Sequence, residues 1–125
     1  QAISYLHRRR VAHLDIATQN ILHPSRPDTR FGQEIVANKL YLIDFEFSEI
    51  LDLGPGRQPA IELDPYSWDV YCCGWIMQGM LKFYLQGALP WHLRWYLSWV
   101  TGKQEQGCAG PCRCRPTTRR ALLVL

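Results

Sequence analysis

Three polar groups stand out in a chain in which 47% of the residues are hydrophobic. The first is His13-Leu14-Asp15, with Asn20 five residues after the aspartate and Ile21-Leu22 behind it. The second is Asp44, which ends the apolar run Leu40-Tyr41-Leu42-Ile43 and is followed by Phe45-Glu46. The third is Asp69, in Trp68-Asp69-Val70-Tyr71. These residue types in this relation suit phosphoryl transfer. One carboxylate must stand beside the attacking hydroxyl, orient it and take its proton. A second carboxylate and an amide oxygen must hold Mg²⁺ against the nucleotide phosphates. Asp15 suits the first task, Asn20 and Asp44 the second. A lone His-x-Asp is more often a structural pair than a catalytic one; Asn20 and the strand-end Asp44 tip the balance. Asp69 could equally be the N-cap of a helix.

The elements that must position these residues read as a mostly helical, α+β domain with one or two small strands. Ile3 and Leu6 have the spacing of a helix over residues 2–9. Residues 11–22 lack a clean period and read as a loop feeding a short strand. Pro24, Pro27 and Gly32, among many charges, mark residues 23–39 as an exposed loop or insertion. Residues 40–43 read as a buried strand. After an irregular stretch around Gly54-Pro55-Gly56 and Pro59, Val70, Cys73, Met77, Met80 and Tyr84 recur at three- and four-residue steps, with Ile76 and Leu81 beside them. That is the stripe of a long amphipathic helix opened by Asp69. Pro90 precedes a second helix carrying Leu93, Tyr96, Leu97 and Val100 on one side, which Gly102 can stop. A last short helix is expected over residues 117–125. The Trp91, Trp95, Trp99 series reads as packing.

A length of 125 residues fits one domain. The net charge of +3 owes much to Arg8-Arg9-Arg10 and to Arg113, Arg115, Arg119 and Arg120. The simplest reading of these is solvated helix ends. No aromatic-and-basic interleaving accompanies them, so no nucleic-acid partner is expected. No apolar run reaches the ~20 residues of a membrane span. Adjacent Cys72 and Cys73, inside a helical pattern, argue for a reducing compartment, cytoplasmic or nuclear. Cys108, Cys112 and Cys114 look like a partial metal site without a close fourth ligand. Helical residues begin directly at Gln1, so the chain is expected to be part of something longer.

The segment HLDIATQNIL resembles the catalytic-loop signature H-R-D-x-x-x-x-N of protein kinases, and LIDFEFS resembles their D-F-G region. Asp69-Val70-Tyr71-Cys72-Cys73-Gly74 is similar to the start of the kinase F helix. Pro59-Ala60-Ile61-Glu62-Leu63 could stand for the A-P-E element, and Arg115-Pro116-Thr117 for a late R-P-T element. These landmarks follow the family order and cover most of the chain. Asp64-Pro65-Tyr66 is similar to divergent kinase-like proteins of fungi. The resemblance implies a partial kinase domain: a C-terminal lobe with one short β-hairpin and helices E, F and later ones, and no N-terminal lobe. Its parts would be a catalytic loop over 13–22, an insertion over 23–39 and a metal-binding strand end over 40–46. A shortened activation segment would follow over 47–63, then the F helix over 68–84 and C-terminal helices over 91–125. It implies Asp15 as the base, Asn20 and Asp44 as Mg²⁺ ligands at an ATP site, and a protein Ser or Thr hydroxyl as acceptor. His13 would brace the D-F-G region, Asp69 the catalytic-loop backbone, and Glu62 would pair with Arg115. The N-terminal lobe would be the main packing partner, and poor solubility is expected without it.

The departures are specific. Leu14 stands where most kinases carry arginine, Ala17 where they carry the loop lysine, and Glu46 where the glycine of D-F-G belongs. Glu46 points either to a fixed segment or to a third acidic metal contact. The glycine-rich loop, the phosphate-gripping lysine and its glutamate partner have no counterpart here. Two other functions therefore stay open. Small-molecule kinases of the aminoglycoside and choline type often carry I-D-F/W-E, much like Ile43-Asp44-Phe45-Glu46. A catalytically inactive, pseudokinase-like fragment is the third reading.

Overall fold

The computed structural model describes residues 1–30, 32–58, 64–102 and 115–124. Glu62 and Cys108, Cys112 and Cys114 lie outside them, so the expected Glu62–Arg115 pair and the cysteine group do too. Among the described residues the chain forms four α-helices and three two-stranded antiparallel sheets. Helix α1 spans Ala2–Arg8, α2 Pro65–Tyr84, α3 Trp91–Thr101 and α4 Thr118–Val124. No helix there is long and apolar enough to cross a membrane.

The strands pair in nested order. Strand β1 (Val11–Ala12) pairs with β6 (Glu49–Ile50), β2 (Ile21–Leu22) with β5 (Tyr41–Leu42), and β3 (Asp28–Arg30) with β4 (Gln33–Ile35). One hairpin was expected and three pairs are present. The described residues of the 23–39 segment are mostly exposed, as expected, but part of the segment folds back as the β3–β4 hairpin. The strand read as buried is only half-buried at Tyr41 and Leu42, and Leu40 is 67% exposed. In the β2–β5 ladder each strand has a single antiparallel partner, whereas β1 is covered, with Ala12 fully buried.

Helix α2 begins earlier than the apolar stripe implied. Asp64 is its N-cap, its side chain accepting the Tyr66 backbone N–H at 3.1 Å, and Pro65 takes the first turn, where a missing N–H costs nothing. Asp69 therefore does not open the helix but lies in its second turn. The core sits where α2 and α3 cross and α4 joins them: Val70, Tyr96, Val100 and Ala121 are buried together, with Met77 and Trp99 against them. The α2–α3 approach is close at Gly74, where a Cβ would stand 2.7 Å from Thr101 Cγ2 and 2.8 Å from Val100 Cγ2. The packing face of α3 is the expected one at Tyr96, Leu97 and Val100, and Gly102, at φ 80°, ends it. Trp91 and Trp95, read as packing, are exposed; of that series only Trp99 reaches the core, stacked on Trp95.

Candidate active site

Asp69 is fully buried, and an unpartnered carboxylate there would be costly. Its oxygens accept three hydrogen bonds of 2.8 Å: from His7 Nε2 and from the backbone N–H groups of His13 and Leu14. Helix α2 thus holds the start of the 13–20 loop by its main chain. Leu14 has φ 67°, a left-handed conformation that costs a non-glycine residue roughly 1–2 kcal/mol. It is held from both sides, since its carbonyl also accepts the Trp68 indole N–H at 3.1 Å. The neighbours Trp68 and Asp69 together impose the strained turn that presents Asp15.

His13 links this loop to the strand end. Its Nδ1 accepts the Asp15 backbone N–H at 3.3 Å, so its Nε2 donates to the Ile43 carbonyl at 3.1 Å. The ring packs on Phe45, centroids 4.8 Å apart, and the Ser48 hydroxyl donates to the His13 carbonyl at 3.2 Å. His7 is set the same way from the other side: with Nε2 on Asp69, its Nδ1 accepts the Thr118 hydroxyl at 3.3 Å.

Asn20 ends a 3₁₀ turn over Thr18–Asn20 and is buried. Its amide nitrogen donates to the Asp15 carbonyl at 2.9 Å and to Asp15 Oδ2 at 2.7 Å. That commits the nitrogen and leaves Oδ1 as the atom able to meet a cation. The Asn20 carbonyl accepts the Ile43 backbone N–H at 2.9 Å, which fixes the backbone one residue before Asp44. Asp44 is exposed and left-handed, at φ 63°, a conformation that aspartate tolerates better than most residues. The structure therefore links His13, Asp15, Asn20 and Asp69 through hydrogen bonds, and Asp44 adjoins this network through Ile43, whose N–H and carbonyl are bonded to Asn20 and His13.

Asn20 Oδ1 with the Asp44 carboxylate is a pair of hard oxygen donors. That pair fits Mg²⁺, which keeps several of its waters and takes few protein ligands. Among the described residues no group of three or more His, Cys, Asp or Glu is gathered into a metal cage. Arg115 stands apart from the network. It is buried, donates to the Thr101 carbonyl at 2.8 Å and lies 4.7 Å from the centre of the Tyr71 ring; burial lowers its pKa. Burial likewise pushes the Cys72 thiol up to about 11 and Cys73 to about 12, which keeps both protonated and unreactive.

Sequence reasoning missed His7, Ser48 and Trp68. Trp68 adjoins Asp69 and could have been suspected, since a buried indole N–H needs an acceptor. His7 and Ser48 carry no local signal. Beside the loop, where Ala17 replaces a lysine, an open groove of about 560 Å³ is lined by Thr18, Gln19, Trp75, Met80 and Phe83. Compared with protein-family models, with curated proteins and with solved structures, the chain has no match, so the functional reading rests on this network.

Proposed function

We propose that this chain is the catalytic-lobe portion of a protein kinase, moving the γ-phosphate of ATP to a Ser or Thr hydroxyl of a protein. The observation that supports it most is the double tie on the loop: Asp69 holds its amides and His13 ties it to Ile43. Phosphoryl transfer depends on positioning and charge stabilisation more than on covalent participation, so a rigid loop presenting a base is the part that matters. Asp15 would orient the acceptor hydroxyl and take its proton as the oxygen attacks phosphorus. Its Oδ2 is held by Asn20, which fixes the carboxylate plane. Asn20 Oδ1 and Asp44 would hold Mg²⁺, which when bound neutralises charge on the phosphates. With Cys72 and Cys73 free, the setting would be a reducing, intracellular one.

One feature favours a different acceptor. Glu46 is exposed two residues after Asp44 and completes Ile43-Asp44-Phe45-Glu46, similar to the I-D-F/W-E that small-molecule kinases often carry. Supplying hydroxylated small molecules beside protein substrates decides between the two.

The test is calorimetric titration of the folded chain with ATP and Mg²⁺. Magnesium-dependent binding is expected, lost in Asp44→Asn and kept in Asp15→Asn, which should lose phosphate transfer alone. A folded chain that binds no Mg–ATP, or binds it equally well as Asp44→Asn, would sink the proposal.

A further inference from the structure

Five arginines lie where α1 meets α4. His7 and Thr118 touch across that joint, at 3.3 Å. Arg8, Arg9 and Arg10 follow the first and Arg119 and Arg120 the second, and all five are exposed. Among the described residues none of the five forms an ion pair. Two are held in place. The Arg9 guanidinium lies 3.7 Å over the centre of the Tyr5 ring, and Arg10 donates to the Asp52 carbonyl at 2.9 Å. The backbone of Arg10 is also fixed, its carbonyl accepting the Leu51 N–H at 2.8 Å. Like charges gathered without ion-pair partners repel one another, so this concentration of cations is not itself a source of stability.

From this we infer that the α1–α4 corner is a docking surface for a short acidic protein segment, its negative charges carboxylates or phosphates. The inference is independent of the phosphoryl-transfer reading. Guanidinium forks match both anions in bidentate fashion. The size of the corner selects a short segment over a nucleic acid. Each helix has seven residues and so is only about 10 Å long. On the strand side the patch is closed by acids: Glu49 pairs opposite Ala12, and Asp52 adjoins Arg10. A polyanion tracking many phosphates would run onto those carboxylates, whereas a segment with a few charges stops short of them.

Fluorescence anisotropy on the full chain tests this, using a short labelled peptide of alternating glutamate and serine, with its serines unmodified or phosphorylated. Saturable binding that weakens as salt rises is expected. Whichever peptide form binds more tightly identifies the preferred anion. Arg8→Ala with Arg119→Ala should weaken binding about tenfold or more. Arg26→Ala with Arg94→Ala, an equal charge loss elsewhere, should leave it unchanged. If the alanine pair fails to fold, Arg8→Lys with Arg119→Lys keeps the charge and should still weaken binding by losing the fork geometry. Equal losses in the corner and remote variants would overturn the inference. So would the absence of peptide binding, or tighter binding of a single-stranded oligonucleotide than of either peptide.

Discussion

The two halves of α2 make opposite uses of their residues. In the first half Pro65, Tyr66, Ser67, Asp69, Val70 and Gly74 are buried, though several are polar. In the second half Trp75, Met80, Phe83 and Tyr84 are 53%, 51%, 80% and 72% exposed, though all are large and apolar. Burial along this helix follows the availability of partners, not hydrophobicity. The first half has the 13–20 loop on one side and α3 and α4 on the other. Its polar groups are matched one by one, which makes a buried carboxylate tolerable. The second half continues the same apolar stripe past Met77, and among the described residues its Trp75, Met80, Phe83 and Tyr84 stay exposed. It forms a wall of the open groove beside Ala17, Thr18 and Gln19.

Three substitutions probe that contrast, and Asp69→Ala should have the largest effect. It strands His7 Nε2 and two backbone N–H groups in the interior, at a cost of roughly 3–5 kcal/mol. Urea denaturation measures it. A loss below about 1 kcal/mol would mean that the clamp is not what secures the loop. Gly74→Ala comes next. Its methyl would meet Thr101 and Val100 at under 3 Å, so α2 and α3 must separate, for about 1–3 kcal/mol. Gly79→Ala, one half-helix on, meets nothing within 4 Å and should stabilise the chain by about 0.5–1 kcal/mol through helix propensity. Two glycines five residues apart in one helix thus give opposite signs. If Gly79→Ala also destabilises, the second half is covered after all.

Much of the candidate site was legible because its chemistry is carried by residue type. Asp15, Asn20 and Asp44 could be named from spacing alone, and Asn20 is hydrogen-bonded to Asp15. Asp69 was singled out, but its position in the helix was misjudged. An apolar stripe does not reveal a capping turn of Asp-Pro-Tyr-Ser lying before it. The rest was hidden for physical reasons. His7 reaches Asp69 across 62 residues of chain, and Val11–Ala12 becomes a strand only because Glu49–Ile50 lies beside it. Such contacts are tertiary and leave no local pattern. The β3–β4 hairpin has Ile35 as its one apolar strand residue, so no alternation announces it. Leu14 gives no hint of a left-handed backbone, since leucine has no preference for it; the strain is imposed by Trp68 and Asp69. Leu40, Trp91 and Trp95 were expected inside because they are apolar. Their exposure repeats what the second half of α2 teaches.

The smallest expected effect sharpens that last point. Phe83 is the most exposed large apolar residue of the second half, and among the described residues its ring contact is with Tyr84, edge-on at 5.5 Å. Phe83→Ser removes a large apolar surface from water but no packing from the interior, so stability should stay within about 0.5 kcal/mol. Self-association, followed by sedimentation, should fall, because contiguous exposed apolar surface is what drives it. A clear drop in the unfolding midpoint would show that Phe83 is packed in the folded chain. Unchanged stability with unchanged association would move the sticky surface elsewhere, to Trp91 and Trp95 at the start of α3.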